Sequence, residues 1–294
     1  MLTTCPERLA FSYLRPGSVD EALAMWAGQA RPAFLAGGTD VLPRARREGG
    51  IGALIDLKRI PELDRIEQGG DGGLAIGAAC TVHRVAVHPL VRERYPVLSA
   101  CLSQLGSFPI RNRATLAGNI CNASPCADGA PALLALEAVL ELRAAGGAQR
   151  TLSIGDFFRG PGETALRPGE LLCRILLPAG SAGARGSYQR LARRRAVDIS
   201  SVAVLVARLA AGERRHRICL SSVAPTPLRA VEAERVLDAE EPDSVERAAE
   251  LAMAACAPID DLRGSAAYRR RMVGALLGRA VDELRSSRQT GVPV

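Results

Sequence analysis

The chain has 294 residues, 48% hydrophobic and 23% charged, which suits two packed domains and excludes a disordered polymer. Its best apolar run, Val202 to Ala211, is cut by Arg208 and falls short of the roughly 20 residues of a membrane helix; the first residues lack a basic stretch before an apolar core, so a cytoplasmic protein is expected, with no membrane partner. A net charge of +7 does not imply nucleic acid, because the arginines are dispersed, Lys58 is the only lysine and aromatics make up 3%, too few for stacking platforms in series.

In chain order, Ser18-Val19-Asp20-Glu21 forms a capping box that starts a helix with Ala22, Leu23, Met25 and Trp26 on its apolar face. A short strand, Ala33-Phe34-Leu35, runs through Ala36-Gly37-Gly38-Thr39-Asp40 into a helix from Val41 to Arg47 that tolerates Pro43 in its first turn. Ala53 to Leu57 reads as a buried strand, and Leu63 to Glu67 with Leu74 to Ala79 flank a GGDGG hairpin turn. Thr81 caps a helix from Val82, and a second helix, Tyr95 to Leu105, ends at Gly106. The polar stretch Arg111 to Pro131, RNRATLAGNICNASPCADGAP, reads as one long loop ending at an apolar helix, Ala132 to Val139. Strands are expected at Val139 to Arg143 and at Glu170 to Leu177.

The small-residue run Ala179 to Ala184 marks a domain boundary that few contacts need cross. Beyond it come extended segments at Ser187 to Ala192, Ser201 to Ala210 and His216 to Val223, with a turn at Ala211-Gly212-Glu213. Helices then follow at Arg229 to Leu237, Ser244 to Cys256 and Ala267 to Leu284, giving a small α+β domain of three strands and a helix bundle. The polar tail from Ser286 is expected to fray.

Several chemistries are excluded by pattern. Eight cysteines lie scattered from Cys5 to Cys256 without a CxxC pair, and Cys121 with Cys126 gives a C-x4-C whose next ligand position is Gly129, so no metal site is expected. The lone Lys58 follows no glycine-rich loop, which removes a P-loop. Two loose dinucleotide fingerprints, at Gly70 and Gly160, do not open helices, and no Gly-x-Ser-x-Gly elbow occurs. What remains is a pair of polar glycine loops, Leu35 to Pro43 and Thr115 to Asp128, each leading towards a helix. Backbone N–H groups at Gly37, Gly38 and Thr39, and others around Gly118 and Asn119, suit two anion nests, a pair that fits a pyrophosphate. The second loop reads equally as a structural turn, and Asp40 and Asp128 suit either sugar hydroxyls or a cap.

LAGGTDVLP at Leu35 to Pro43, IRNRATLAGNICNASPCAD at Ile110 to Asp128, PGELLCRILLP at Pro168 to Pro178 and YQRLARRRAVDIS at Tyr188 to Ser200 together resemble the FAD-binding subunit of molybdenum hydroxylases, the xanthine dehydrogenase and carbon monoxide dehydrogenase medium-subunit family. The resemblance runs co-linearly over nearly the whole chain. It implies an α+β protein with a two-part FAD-binding domain of the vanillyl-alcohol-oxidase (PCMH-type) fold over residues 1–178, in lobes 1–57 and 58–178, then a C-terminal flavoprotein domain over 185–288. Carried over residue by residue, it sets Ala36, Gly37, Gly38, Thr39, Asp40 and Val41 along the pyrophosphate, with Leu35 before them also among the cofactor-binding residues. Thr115, Gly118, Asn119 and Asp128 fall along the remaining phosphate, ribityl and ribose region, Leu105 and Gly106 beside FAD, Leu172 near the flavin, and Arg190 where the family often has lysine.

The same resemblance implies an oxidoreductase with no catalytic side chain of its own. It also implies a heterotrimer, with a large molybdopterin-binding subunit and a small subunit bearing two [2Fe–2S] clusters that passes electrons to this chain's FAD and on to NAD+ or another acceptor. Gly38-Thr39-Asp40 leans to the hydroxylase side of the family rather than the carbon monoxide branch. The competing reading is a free-standing FAD-dependent oxidoreductase of the same fold.

Overall fold

Three short strands, Ser12–Leu14 (β1), Pro32–Leu35 (β2) and Ala53–Asp56 (β3), form a parallel sheet in the order β1-β3-β2. Parallel neighbours require crossovers, which helices Val19–Ala27 (α1) and Val41–Glu48 (α2) supply. Ser18 caps α1 by accepting the N–H of Glu21, while the Glu21 carboxylate reaches the N–H of Gly17, one residue further out than the capping box implies. The central β3 is buried throughout because it is paired on both sides. This computed structural model describes residues 11–194, 197–212 and 215–290, with side chains to residue 286; Cys5, Arg195, Glu213 and the last residues of the polar tail lie outside them.

Ile66–Gln68 (β4) and Leu74–Gly77 (β5) form the expected antiparallel hairpin. The chain then passes through Val82–Val87 (α3), Pro89–Arg94 (α4), Pro96–Ser103 (α5), Phe108–Arg111 (α6), Leu116–Cys121 (α7) and Ala130–Ala135 (α8). The single loop expected over residues 111–131 is therefore corrected: it holds a short helix, α7, capped by Thr115. Six residues are too few to show a helical period. Helix α8 stops before Val139, because Glu137 takes a left-handed backbone, φ 54°, and a strand begins two residues later.

Val139–Arg143 (β6), Gln149–Ser153 (β7), the small hairpin Phe158–Gly160 (β8) with Glu163–Thr164 (β9), and Leu171–Leu177 (β10) follow. Strands β6, β7 and β10 complete a five-stranded antiparallel sheet of order β4-β5-β10-β6-β7, and β8 pairs with β9 alone. The edge strand β7, QRTLS, was not expected from sequence; its alternating exposure leaves only Arg150 and Leu152 half-buried.

A tight turn at Ala179–Ser181 leads into Arg185–Leu191 (β11), Val202–Arg208 (β12), His216–Ser221 (β13) and the two-residue Leu228–Arg229 (β14), an antiparallel sheet in chain order. The fourth strand takes Arg229 from the predicted helix, which starts at Val231. Helices Val231–Asp238 (α9), Ser244–Ala254 (α10) and Ala266–Thr290 (α11) cover one face. Helix α11 continues past Ser286, where fraying was expected.

Strand β12 reads apolar from Val202 to Ala207 because both faces are covered. Val202, Val204 and Val206 pack in a core with α9, α10 and α11, whereas Ala203, Leu205 and Ala207 join the core built around α3, α5 and α8. The expectation that few contacts cross at residues 179–184 is thus corrected. Gly183 donates its N–H to Arg94 O at 2.6 Å, and Tyr95 donates its hydroxyl to Pro178 O at 3.1 Å, so this segment is tied down on both sides. No helix among the described residues is long and apolar enough to cross a membrane.

Candidate functional site

The turn from β2 into α2 and the turn before α7 meet edge to edge. Gly37 makes this possible: a Cβ there would lie 2.3 Å from Arg113 O and 2.7 Å from Ala114 Cα, so only glycine lets the two backbones touch. Its neighbour Gly38 has φ 79°, a left-handed conformation that turns the chain into the helix. The first loop is braced from behind by Lys58, which donates to Ala36 O at 3.3 Å and to Asp56 Oδ1 at 2.6 Å. Tyr13 holds the other Asp56 oxygen. Burial works to raise the Asp56 carboxyl, but hydrogen bonds from Lys58 and Tyr13 outweigh it and hold the group below the usual carboxylate range.

The second loop is held as firmly. Thr115, almost fully buried, accepts the N–H of Gly118 at 3.0 Å, and the preceding Ala114 O accepts from Val82 N at 2.8 Å. Asn122 donates to Asp40 Oδ1 at 3.3 Å, joining the loops by side chain as well as backbone.

Between these loops and residues 166–170 lies a cleft of about 490 Å³. Ala36, Gly37, Gly38, Thr39, Asp40, Val41, Thr115, Gly118 and Asn119 line it, nine of the residues expected from sequence. Arg44 and Arg167 add positive charge to its walls, and Trp26 stacked on Phe34 at 4.4 Å gives it an apolar flank. No acceptor among the described residues takes the N–H of Gly38 or Thr39, the condition an anion nest needs. The far wall is fixed by Arg150, which grips Glu170 through two 2.7 Å hydrogen bonds and Ala165 O through a third at 2.8 Å.

The other expected residues lie elsewhere. Leu35 is buried beneath the first loop, and Leu172 is 2% exposed within β10, opposite Leu142. Leu105, Gly106, Asp128 and Arg190 form a second group at the seam with β11. There Arg190 donates to Gln104 O at 2.7 Å and sits 3.8 Å from Asp128 Oδ1, which accepts from the Tyr188 hydroxyl at 2.7 Å. Burial pushes the Asp128 carboxyl up, with Arg190 and Tyr188 working against it. Asn119 links the two groups, since its side-chain oxygen accepts the N–H of Gly129 at 3.2 Å.

Sequence reasoning missed Trp26, Phe34, Arg44, Arg167 and Glu170 as lining residues, and Lys58 and Tyr188 as supports. For Trp26 the capping box gave a helix face but not what that face would meet.

Two family models cover the chain: "FAD binding domain in molybdopterin dehydrogenase" over residues 9–180 and "CO dehydrogenase flavoprotein C-terminal domain" over residues 187–284. The chain belongs to the FAD-binding medium subunits of the molybdenum hydroxylases. It is 34% identical to the carbon monoxide dehydrogenase medium chain of Hydrogenophaga pseudoflava over 92% of this chain and 96% of that one. It is 31% identical to the glyceraldehyde dehydrogenase medium chain of Sulfolobus acidocaldarius over 93% and 98%. Among solved structures, carbon monoxide dehydrogenase from Hydrogenophaga pseudoflava superimposes with TM-score 0.87 at 33% identity, covering 95% of this chain and 98% of that one. Quinoline 2-oxidoreductase from Pseudomonas putida 86 does so with TM-score 0.85 at 29% identity, over 93% and 96%. As a medium subunit of this family, the chain is an oxidoreductase flavoprotein, and the cleft's glycine cradle and cationic walls fit the diphosphate of FAD.

Proposed function

We propose that the chain holds FAD along this cleft and relays electrons within a heterotrimer, from the [2Fe–2S] clusters of a small subunit fed by a large molybdopterin subunit, to NAD+ or another acceptor. The observation that carries the reading is the convergence of two glycine loops on one cleft, with Gly37 pressed against the Arg113 backbone. When bound, FAD supplies the redox chemistry, exchanging two electrons in total with its partners. The protein's part is binding and orientation. Ala36 to Val41 cradle the diphosphate; Thr115, Gly118, Asn119 and Asp128 hold the remaining phosphate, ribityl and ribose region; Arg44 and Arg167 offset the charge; Leu105, Gly106, Leu172 and Arg190 belong beside the flavin. The reading assigns residues 1–178 to FAD binding, as lobes 1–57 and 58–178, and 185–288 to the C-terminal domain.

The test is the visible spectrum, metal content and polypeptide composition of the complex purified through this chain, followed by anaerobic addition of NADH. Flavin bands near about 450 nm, with iron, molybdenum and two copurifying polypeptides, are expected. Bleaching of the flavin by NADH identifies nicotinamide as the acceptor, and no bleaching assigns another. Flavin without partners moves the chain to a free-standing oxidoreductase, and a colourless complex refutes the reading.

A further inference from the structure

Tyr188 and Arg190 stand two residues apart on β11, so the pleat turns both to one face. That face meets Asp128, which lies across the seam in the segment between α7 and α8. The Tyr188 hydroxyl donates to Asp128 Oδ1 at 2.7 Å in a buried contact, and the Arg190 Nε lies 3.8 Å from the same oxygen. The remaining Arg190 nitrogens are engaged, one with Gln104 O and one with Asp198 O, each at 2.7 Å. Its Nε is buried without a hydrogen-bond acceptor. A buried tyrosine and carboxylate beside a half-buried guanidinium are costly compared with an apolar seam of the same volume, and the one orphaned donor leaves the cluster incompletely satisfied by protein groups.

Its position explains what it does. Asp128 is joined to Gly129, whose N–H is held by the side chain of Asn119, and Asn119 lines the cleft. Fixing the Asp128 carboxylate therefore fixes the edge of the cleft on which the second glycine loop rests. We propose that Tyr188 is a positioning residue for the flavin nucleotide: through Asp128 it sets that edge, so the C-terminal domain takes part in retaining the cofactor. The inference rests on the cleft being the FAD site.

The experiment titrates FAD into the deflavinated full chain, read by flavin fluorescence and visible circular dichroism, with melting of the apo form measured in parallel. The variants are Tyr188→Phe, Asp128→Asn, their double, and Glu137→Gln. Glu137 accepts from Arg217 at 2.9 Å and Arg229 at 3.0 Å, so removing its charge weakens the same interdomain seam away from Asp128. Asp128→Asn keeps the shape but replaces the charged acceptor of Tyr188 with a neutral one, so it is expected to raise the Kd in the same direction and reports even where Tyr188→Phe folds poorly. Tyr188→Phe is expected to raise the Kd for FAD about tenfold, the scale of a hydrogen bond to a charged group, and to alter the flavin dichroism. The double variant should bind no worse than the weaker single one, while Glu137→Gln lowers the apo Tm and leaves Kd unchanged. The inference is overturned by wild-type Kd and dichroism in Tyr188→Phe, by full additivity with Asp128→Asn, or by an equal loss of affinity in Glu137→Gln. Failure of the wild-type chain to take up FAD overturns the cofactor reading and this inference with it.

Discussion

Substitution of Gly37 by alanine tests the meeting of the two loops most directly. The added methyl would lie 2.3 Å from Arg113 O, 2.7 Å from Ala114 Cα and 2.9 Å from Arg113 C, all backbone, whereas ordinary contact begins at 3.4 Å. The loops must then part by about 1 Å, and overpacking of this kind costs about 1–3 kcal/mol. Because the parting happens where the ligand needs the loops together, the same energy appears as a rise in FAD Kd of about 5- to 150-fold. Stability falls as well, by about 2–4 °C in Tm per kcal/mol. Gly38→Ala is the control. Its methyl would meet only the ends of the Leu35 and Leu42 side chains at 3.2 Å, but φ 79° places it in the left-handed region, at about 1–2 kcal/mol. That cost falls on folding more than on binding, and Gly38→Asn should recover part of it. Fluorescence titration with FAD and thermal melting of the apo forms separate the two effects. Gly37→Ala that binds FAD with wild-type Kd and melts with the wild type would refute the close approach as the organising contact.

Lys58→Met removes the donor to Ala36 O and the ammonium beside the buried Asp56 carboxylate, which keeps only Tyr13 and the backbone N–H of residue 58; a loss of about 1–3 kcal/mol is expected in chemical denaturation, with weaker FAD binding, and an unchanged denaturation midpoint would show that Lys58 merely rests on the loop. Glu170 is held below the usual range, chiefly by its hydrogen bond from Arg150. Its charged form is favoured by folding, so the stability it contributes is complete above the unfolded pKa of about 4.3 and is lost as pH falls through the lower folded value. Glu170→Gln should therefore melt below the wild type at neutral pH and converge with it in acid, and a constant gap across the titration would contradict the assignment. Asp128 has the opposite sign: burial raises its carboxyl, so the folded state is penalised as pH rises through the raised value. The Tm of apo Asp128→Asn relative to wild type should accordingly climb with pH, and a flat difference would mean that Arg190 compensates the charge fully.

The glycine loops were legible in the sequence because each gathers glycine with polar side chains in an apolar surrounding, and the first runs straight into a helix; the cap at Thr115 and the six-residue helix behind it were not. The hairpin at β4 and β5 was readable from a local pattern too, as were the three long strands of the second domain. What stayed hidden depends on distant partners. Gly37 looks like any loop glycine until the Arg113 backbone lies against it. Arg150 sits in an edge strand too polar to announce itself, yet it fixes the wall at Glu170. Strand β12 is apolar from Val202 to Ala207, which signals burial on both faces but not that one face belongs to the neighbouring domain's core. Tyr188 and Asp128 are 60 residues apart, and neither has a local pattern that pairs them.

The titratable groups lining the cleft indicate what kind of site it is. Asp40 is engaged by Thr39 and Asn122, and Glu170 by Arg150. The guanidinium groups of Arg44 and Arg167 are hydrogen-bond donors only. Cys121 is pushed up to about 12 by burial, which leaves it a thiol rather than the thiolate that nucleophilic or redox chemistry requires. Each group that could exchange a proton or attack a substrate is thus tied down or held in its inert form. A cleft built this way binds and orients, and the reactivity must come from what it binds. Under the function proposed above, fixed geometry and charge around the cofactor would be the protein's contribution.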